Sequence, residues 1–333
     1  MRGLRSKAIE RGWIGEGEPL LVGRLAFPLE ADLPDVVHEF NRPARDAVVA
    51  EALEGMAAPQ ANPSLFGPEP QVVVAEVERY GIPLRTVLGM ESGLMRSDPY
   101  YDAQYLSHFY RRHYRNLYRP KRFSHSWFLS EQIRSGQRIL ERVGSKLPRS
   151  GRVLDVGCGM GGMLIPFKFD GCEVAGCDYG EEYADRGRSL GLEIRIGGPE
   201  LFRGEEPFDL IILSHVLEHT SDPVHFLREV AGLLKPTGIC YIEVPGLLNL
   251  DKWYNGNLLE YLQNAHRWHF TAGTLGAVAN RAGLRILECD QTIVCLAQVG
   301  SADEMAMAND GADVLGEIRR LEGALAAKGA SRN

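Results

Sequence analysis

The chain lacks the features that would place it in a membrane, in an oxidising compartment or on nucleic acid. No apolar run reaches the roughly 18–20 residues that a membrane-spanning helix needs. None of the six cysteines belongs to a Cys-x-x-Cys pair, so neither a zinc site nor a disulfide framework is indicated. We therefore expect buried, reduced thiols and a cytoplasmic location. The formal net charge of −7 argues against nucleic acid or an anionic membrane as a general partner.

The composition is that of an ordinary globular protein, with 44% apolar and 24% charged residues among 333. This length allows one large domain and a smaller one. Residues 1–95 carry no catalytic motif, and we predict an accessory region with strands at residues 20–27 and Gln71–Val77 and helices within residues 35–56. Such a region would serve substrate selection or dimerisation, so a homo-oligomer is one expectation.

Residues 96–150 are predicted to form helices that cover the pocket of the domain that follows. Two aromatic rows recur at intervals of four residues and would share one helix: Tyr101, Tyr105 and Phe109, then Tyr110, Tyr114 and Tyr118. Among the rings lie Arg111, Arg112 and Arg115, in a stretch without acidic residues. Either the rings pack on the core while the cations stay solvated, or the arginines bind a substrate anion such as a diphosphate. RNA would use the same residue types, but the negative total charge argues against it.

A buried strand and a glycine-rich turn begin the next domain, residues 151–300. Val153, Leu154 and Val156 are the branched apolar residues of a strand that is covered on both faces. Glycines follow at positions 157, 159, 161 and 162, where backbone N–H groups approach a ligand without a Cβ in the way. Their spacing fits a dinucleotide site and an S-adenosylmethionine (SAM) site equally well, and a sharp turn without any ligand is the third interpretation.

A regular alternation of strands and helices continues to residue 300, which predicts an α/β fold with a parallel sheet. Asp178 ends the second strand, where its carboxylate would accept hydrogen bonds from two ribose hydroxyls of a nucleoside. Alternatively, it caps the helix that begins near Glu181. Asp222, followed by Pro223, is predicted to cap a later helix. Residues 301–333 are predicted to form a C-terminal helix and a polar tail.

With these residues placed, the sequence resembles the class I SAM-dependent methyltransferases over residues 130–300. The matching motifs are Val-Leu-Asp-Val-Gly-Cys-Gly-Met-Gly-Gly at residues 153–162, Asp178, Phe-Asp-Leu-Ile at 208–211 with His-Val-Leu-Glu-His at 215–219, and Leu-Leu-Lys-Pro-Thr-Gly at 233–238. The resemblance implies a Rossmann-like, seven-stranded, mostly parallel sheet with helices on both faces and its last strand inserted antiparallel, beside the N-terminal accessory region. It also implies SAM as the cofactor and S-adenosylhomocysteine as the product.

The resemblance further implies a set of cofactor contacts, each assigned by its position in a motif. The residues that would cradle the methionine part of SAM and order the turn are Gly157, Cys158, Gly159 and Asp155. Asp178 would hold the ribose, and Tyr179 would lie against the adenine. Ser214 would present its backbone to the cofactor, and Gln132, on a helix predicted over residues 126–147, would lie near the mouth of the pocket.

A narrower similarity is to methyltransferases of bacterial polysaccharide and sugar-modification pathways. It rests on residues 110–118, Gln132 with Gly136, Asp178-Tyr-Gly, Tyr-Ile-Glu-Val-Pro at 241–245 and Asn-Ala-His-Arg-Trp-His-Phe-Thr at 264–271. It implies O-methylation of a sugar hydroxyl on a nucleotide-linked or glycan intermediate. Methylation of another small natural product at O, N or C is the enzymatic alternative. A SAM-binding or RNA-associated module is the alternative of another class.

A sugar hydroxyl is a poor nucleophile at neutral pH, so a general base would accelerate transfer by roughly 100- to 10,000-fold. Histidine is the natural choice, and His215, His266 and His269 follow predicted strands. Alternatively, each of these histidines makes only packing contacts or structural hydrogen bonds. A metal is not expected. Some quinone O-methyltransferases that resemble this fold bind a cation at the corresponding Glu-His, but Ser214 and His215 stand where further carboxylates would help.

Overall fold

The computed structural model describes residues 2–29, 41–118, 120, 123–290, 293–300 and 311–330. The chain divides into two compact units. Unit 1 consists of Met1–Arg122, Gly246–Thr274 and Met307–Asn333, and unit 2 consists of Phe123–Pro245 and Leu275–Ala306. These boundaries do not coincide with the divisions that we predicted after residues 95, 150 and 300, because residues 246–274 leave the sheet domain and join unit 1.

The elements of the described ranges are as follows, in chain order. The α-helices are α1 (Arg2–Glu10), α2 (Arg42–Glu54), α3 (Ala103–Arg112), α4 (Tyr114–Tyr118), α5 (His125–Val143), α6 (Leu164–Phe169), α7 (Glu181–Ser189), α8 (Pro223–Ala231), α9 (Leu250–Trp253), α10 (Leu258–Tyr261), α11 (Ala272–Arg281) and α12 (Gly311–Ala330). The strands are β1 (Pro59–Gln60), β2 (Gln71–Val77), β3 (Pro83–Gly89), β4 (Met95–Ser97), β5 (Tyr100–Tyr101), β6 (Arg152–Val156), β7 (Glu173–Asp178), β8 (Glu193–Ile196), β9 (Phe208–Ser214), β10 (Leu234–Glu243), β11 (Trp268–His269), β12 (Leu284–Cys289) and β13 (Val294–Val299). None of the described helices is long and apolar enough to cross a membrane.

Unit 2 contains a seven-stranded sheet in the order β12-β13-β10-β9-β6-β7-β8. Strand β13 runs antiparallel to both of its neighbours, whereas the pairs among β10, β9, β6, β7 and β8 are parallel. Helices flank the sheet, so its central strands are buried on both faces and consist of nearly continuous apolar runs. The predicted Rossmann-like sheet with an antiparallel last strand is confirmed.

Two polar residues of unit 2 explain how the sequence fixes local structure there. The Asp209 carboxylate, largely buried within β9, accepts hydrogen bonds from Lys235 Nζ and from the backbone N–H of Arg152, both through Oδ2. Burial of this charge is therefore compensated. Asp222 accepts a hydrogen bond from the backbone N–H of His225 at 2.9 Å and begins α8, which confirms the predicted cap.

Helix α5 packs unusually close to the backbone that follows the glycine turn. A Cβ built on Gly136 would lie 2.3 Å from the carbonyl oxygen of Met163 and 2.8 Å from its carbonyl carbon. Both atoms belong to the backbone, so no rotamer change relieves this contact. Gly136 therefore sets the distance between α5 and the start of α6.

We expect Gly136→Ala to lower the free energy of unfolding of unit 2 by about 2 kcal/mol, since an inserted methyl group must displace backbone. Gly323→Ala is the matched control, because Gly323 lies within α12 and a Cβ there meets no atom within 4 Å. In a helix interior with open space, alanine is favoured over glycine by about 1 kcal/mol. Thermal unfolding monitored by circular dichroism checks both variants. Equal melting temperatures for Gly136→Ala and the unmodified chain would contradict the close contact.

Unit 1 contains a four-stranded antiparallel sheet in the order β11-β4-β3-β2 and a two-stranded pair, β1-β5. The predicted strand Gln71–Val77 is confirmed as β2. The strand predicted at residues 20–27 is wrong: Leu20 forms one isolated bridge to Val73, and Gly23–Leu25 is a 3₁₀ turn. Glycine and the nearby Pro28 disfavour a continuous strand there. Helix α2 begins at Arg42 with Pro43 in its first turn, and residues 35–40 of the predicted helical stretch lie outside the described ranges.

The aromatic rows, which we predicted on one helix, are divided among three elements: Tyr101 lies on β5, and the other five rings lie on α3 and α4. Helix α3 ends at Arg112, and α4 begins at Tyr114, on the other side of His113. Ring centroids lie 5.0 Å apart for Tyr101 and Tyr105 and 5.1 Å apart for Tyr114 and Tyr118. Five of the six rings pack into or against the interior of unit 1, as the packing interpretation expects, whereas Tyr110 is 36% exposed.

One expectation about the cysteines is wrong. Cys289 and Cys295 form a disulfide bond, with their Cα atoms 4.1 Å apart. The two residues are direct partners in the antiparallel pairing of β12 with β13. The remaining four cysteines are buried free thiols, as predicted. The pairing arises from the register of the two strands, which the spacing of cysteines in the sequence does not reveal.

Candidate active site

The glycine turn between β6 and α6 is held against the end of the neighbouring strand β7. The backbone N–H groups of Gly157 and Cys158 donate to the carbonyl oxygen of Cys177 at 2.8 and 3.1 Å. Gly157 and Gly159 adopt φ angles of 73° and 55°, in the left-handed region that favours glycine. A Cβ on Gly157 would also lie 2.8 Å from Val216, in the loop that follows β9. The turn is thus a compact backbone cradle at the carboxyl ends of the central strands.

Asp178, the last residue of β7, ties two backbone segments together. Its Oδ2 atom accepts a hydrogen bond from the N–H of Gly159 at 2.9 Å, and Oδ1 accepts one from the N–H of Gly180 at 2.6 Å. The helix-cap alternative is wrong, because Gly180 is the N-cap of α7 and Asp178 accepts from the N–H of this residue, which precedes the helix. Each carboxylate oxygen retains a second lone pair for a ligand hydroxyl. Ribose binding by Asp178 stays a prediction that this geometry permits.

Gln132 supports the glycine turn from helix α5. Its Nε2 atom donates to the carbonyl oxygen of Cys158 at 2.8 Å, and its Oε1 atom accepts from the N–H of Gly162 at 3.4 Å. The Cys158 side chain points inward and is 1% exposed. Both residues therefore lie at the predicted turn, and their visible contacts hold its shape. Direct contact of either residue with SAM stays a prediction.

Asp155 lies at the carboxyl half of β6 and is buried. Its Oδ2 atom has no hydrogen-bond partner among the described residues. Burial raises the pKa of this carboxyl group well above its usual range, and the nearby Asp178 raises it further. A buried oxygen without a partner beside a glycine cradle is the kind of group that a donor of a bound cofactor satisfies. These features fit the SAM that the resemblance implies.

Two further predicted contacts lie at the ends of neighbouring strands. Tyr179 follows β7 and is 78% exposed, so its ring is free to stack on a planar base. Ser214 ends β9, and its hydroxyl donates to Oε2 of Glu243 at 3.1 Å. The hydroxyl of Tyr241 donates to the same oxygen at 3.1 Å. Glu243, which the sequence analysis missed, therefore anchors this corner of the site, and its position at the end of a central strand was the available signal.

His215 directly follows β9 and has the geometry of an oriented base. It adopts a φ of 56°, which is uncommon for a residue other than glycine. Its Nδ1 atom lies 3.4 Å from Oε1 of Glu218, which is buried, while the His215 side chain is 55% exposed. Partial removal from water lowers the pKa of His215, but the hydrogen bond and charge of Glu218, together with Glu243, outweigh that effect and raise it. The sequence motif contained Glu218, but not its role.

The structure brings several of the predicted residues together within unit 2. Strand β6 pairs with both β7 and β9, so the glycine turn, Asp178 and His215 share one edge of the sheet of unit 2. His266 and His269 belong to unit 1, where both are buried. His269 lies on β11, opposite Met95 of β4, and its ring contacts Tyr261 at a centroid distance of 5.1 Å. The catalytic roles of these two histidines stay predictions.

The predicted substrate arginines also belong to unit 1. Arg111 and Arg112, in the last turn of α3, are exposed, and Arg115 on α4 is half-buried. Arg111 Nε donates to the carbonyl oxygen of Ser107 one turn earlier. Binding of a substrate anion by these three residues stays a prediction.

Comparison with known proteins supports the resemblance to methyltransferases for the stretch that contains most of unit 2. Residues 128–289 match the protein-family model described as a methyltransferase domain. The ubiquinone biosynthesis O-methyltransferase of Caulobacter vibrioides is 35% identical over 98 residues, which are 27% of this chain and 39% of that protein. The protein of the same name from Ruegeria pomeroyi is 36% identical over 105 residues, which are 29% of this chain and 42% of that protein. This chain therefore spans about two fifths of the length of these curated relatives.

Solved structures are similar at a lower level of identity. The 1,6-didemethyltoxoflavin-N1-methyltransferase of Burkholderia thailandensis, crystallised with 1,6-didemethyltoxoflavin and S-adenosylhomocysteine, is 19% identical. The match has a TM-score of 0.45 and covers 65% of this chain and 96% of that one. The stretch that matches the family model contains the glycine turn, Asp178 and His215.

Proposed function

We propose that the class I SAM-dependent methyltransferase domain formed by residues 128–289 transfers a methyl group to a hydroxyl oxygen of a small-molecule acceptor. When bound, SAM supplies a methyl group that is activated by a positively charged sulfur. The glycine turn and Asp178 would hold this cofactor, and Tyr179 would cover its base. These residues contribute alignment and exclusion of water, which are the main demands of such a displacement.

The observation that carries the proposal is the pair formed by His215 and Glu218. A hydroxyl acceptor must lose a proton during transfer, so an oriented base accelerates its methylation. Because Nδ1 of His215 faces the Glu218 carboxylate, we assign the proton to Nδ1 and the free lone pair to Nε2. Nε2 is then the atom that takes the hydroxyl proton. Glu218 orients the imidazole and stabilises its charged form, as carboxylates do beside other catalytic histidines.

Two acceptor classes follow from different observations. The curated relatives are named O-methyltransferases of ubiquinone biosynthesis, which favours a hydroxyl on an aromatic ring of the type that quinones are made from. The sequence similarity at residues 241–245 and 264–271 favours a sugar hydroxyl on a nucleotide-linked or glycan intermediate. In the second case Arg111, Arg112 and Arg115 would bind the phosphates. We propose a cytoplasmic reaction in either case.

Methyl-labelled SAM, incubated with the purified full chain, separates these classes. The acceptor panel contains catechols, hydroquinones and nucleotide sugars, each paired with an analogue in which the hydroxyl is absent or already methylated. We expect label on oxygen in one class and none in its blocked analogue. Transfer to amines or carbon acceptors in preference to hydroxyls would overturn O-methylation. Retention of RNA that is lost in the double variant Arg112→Ala/Arg115→Ala would instead support an RNA-associated module.

A further inference from the structure

A cluster of two histidines and a glutamate lies in unit 1 and contains none of the residues assigned to the candidate active site. Glu51 is on α2, His108 is on α3, and His113 follows the last residue of α3. The Nε2 atoms of His108 and His113 lie 3.3 and 3.0 Å from the same atom, Oε1 of Glu51. All three potential ligand atoms lie within 4.8 Å of one another.

These separations match those between the ligands of a zinc ion. Imidazole nitrogens and carboxylate oxygens bind Zn²⁺ at about 2.0–2.2 Å, and in tetrahedral geometry two such atoms lie roughly 3.3 Å apart. The two imidazole nitrogens therefore converge on one oxygen at distances that leave room for an ion after small side-chain rotations. Two nitrogens and one carboxylate form a ligand set that suits zinc better than the oxygen-only sets preferred by calcium and magnesium.

The surrounding side chains already orient the cluster. The hydroxyl of Tyr105 donates to the second carboxylate oxygen, Oε2 of Glu51, at 2.8 Å. A hydrogen bond of this kind fixes the direction in which the first oxygen points, as partners of metal ligands commonly do. His113 is only 4% exposed, whereas the side chain of His108 is 35% exposed. One side of the cluster is thus buried and the other is partly open to water.

We propose that unit 1 binds one zinc ion through Oε1 of Glu51, Nε2 of His108 and Nε2 of His113, with a water molecule at the fourth position. The ion links α2 to His113, the residue between the end of α3 and the start of α4. Zinc binding therefore stabilises the folded arrangement of these three helices, because a ligand that binds the native state alone shifts unfolding to higher temperature.

The test uses the untagged full chain, stripped of metal with a chelator and then dialysed. Calorimetric titration with zinc chloride is expected to give one site per chain. The melting temperature of the chain is expected to rise by several degrees when zinc is bound. Replacement by Co²⁺ is expected to give the visible absorption of a tetrahedral site with nitrogen and oxygen ligands. Absence of zinc binding by the unmodified chain at micromolar concentration would overturn the proposal.

Matched variants separate this site from adventitious zinc at other groups. Glu51→Gln keeps the shape of the side chain and His108→Asn changes a partly exposed one, so both should fold, and each is expected to weaken zinc binding at least 100-fold. Tyr105→Phe removes the supporting hydroxyl and is expected to weaken binding about 10-fold. The control is His225→Asn, which replaces an exposed histidine on α8 of unit 2 and should leave zinc binding unchanged. Equal zinc affinity in all four variants would place the ion elsewhere and refute the assignment.

Discussion

His215→Asn is expected to lower kcat by roughly 100- to 10,000-fold while SAM binding changes by less than about twofold. Asparagine removes the imidazole, and it tolerates the left-handed backbone conformation that His215 adopts, so the loop after β9 keeps its shape. Alanine would mix loss of the base with backbone strain. Single-turnover rates with labelled SAM measure the first effect, and calorimetric titration with S-adenosylhomocysteine measures the second.

His225→Asn is the matched control, because this histidine is 67% exposed and lies beside Glu229, near a carboxylate as His215 is. Its kcat should equal that of the unmodified chain. If His215→Asn retained full activity with a hydroxyl acceptor, the assignment of Nε2 as the proton acceptor would be wrong. If it lost SAM binding as well, His215 would serve the cofactor site and not proton transfer.

The pH dependence of the rate tests the role of Glu218 separately. Glu218 and Glu243 raise the pKa of His215, so the rate should rise with pH through a midpoint above the ordinary histidine value of about 6.5. Glu218→Gln removes the larger of the two supporting charges, so the rising limb should move to lower pH. A merely structural role would lower the amplitude of the profile without moving its midpoint.

The stability contributions of the same pair have opposite pH dependence. His215 has a raised pKa in the folded chain, so its contribution is fully present below the unfolded value and is lost as pH rises through the folded value. Burial raises the pKa of Glu218, but His219 and His215 outweigh burial and lower it. Its contribution is therefore present above the unfolded value and is lost as pH falls through the folded one.

Asp178→Ala is expected to raise the dissociation constant of SAM by roughly 100-fold, since hydrogen bonds to a charged group contribute about 1.5–3 kcal/mol each. The substitution removes a carboxylate that also holds the N–H groups of Gly159 and Gly180, so the cradle loses its shape and its ribose partner together. Calorimetric titration with SAM and with S-adenosylhomocysteine measures the change.

Asp170→Ala serves as the control for this substitution, because Asp170 is an exposed residue of unit 2 at the end of α6. It should bind SAM as the unmodified chain does. Circular dichroism establishes whether Asp178→Ala retains its fold. Unchanged SAM affinity in a folded Asp178→Ala variant would contradict the placement of the cofactor at this edge of the sheet.

The sequence by itself determined the parts of this protein that depend on local pattern. The branched apolar run of β6, the glycines after it and the alternation of strands and helices were sufficient to predict a parallel α/β sheet. The number of its strands and the antiparallel last strand followed from the resemblance to class I SAM-dependent methyltransferases. Asp222 and Pro223 marked the start of α8, and the four-residue spacing of rings marked the two aromatic rows. Each of these features acts within a few residues, through propensity, capping or periodicity.

Only the tertiary structure decided which distant residues meet. Residues 246–274 return to unit 1, so His266 and His269 belong to that unit although they follow the fifth predicted strand of the other. The pairing of Cys289 with Cys295 depends on strand register. Glu51 contacts His108 and His113, which lie 57 and 62 residues further along the sequence. Residues five apart are not neighbours on one face of a regular helix, so the interval between the two histidines does not predict that they meet. Such contacts are set by the packing of whole elements against one another, which no local pattern encodes.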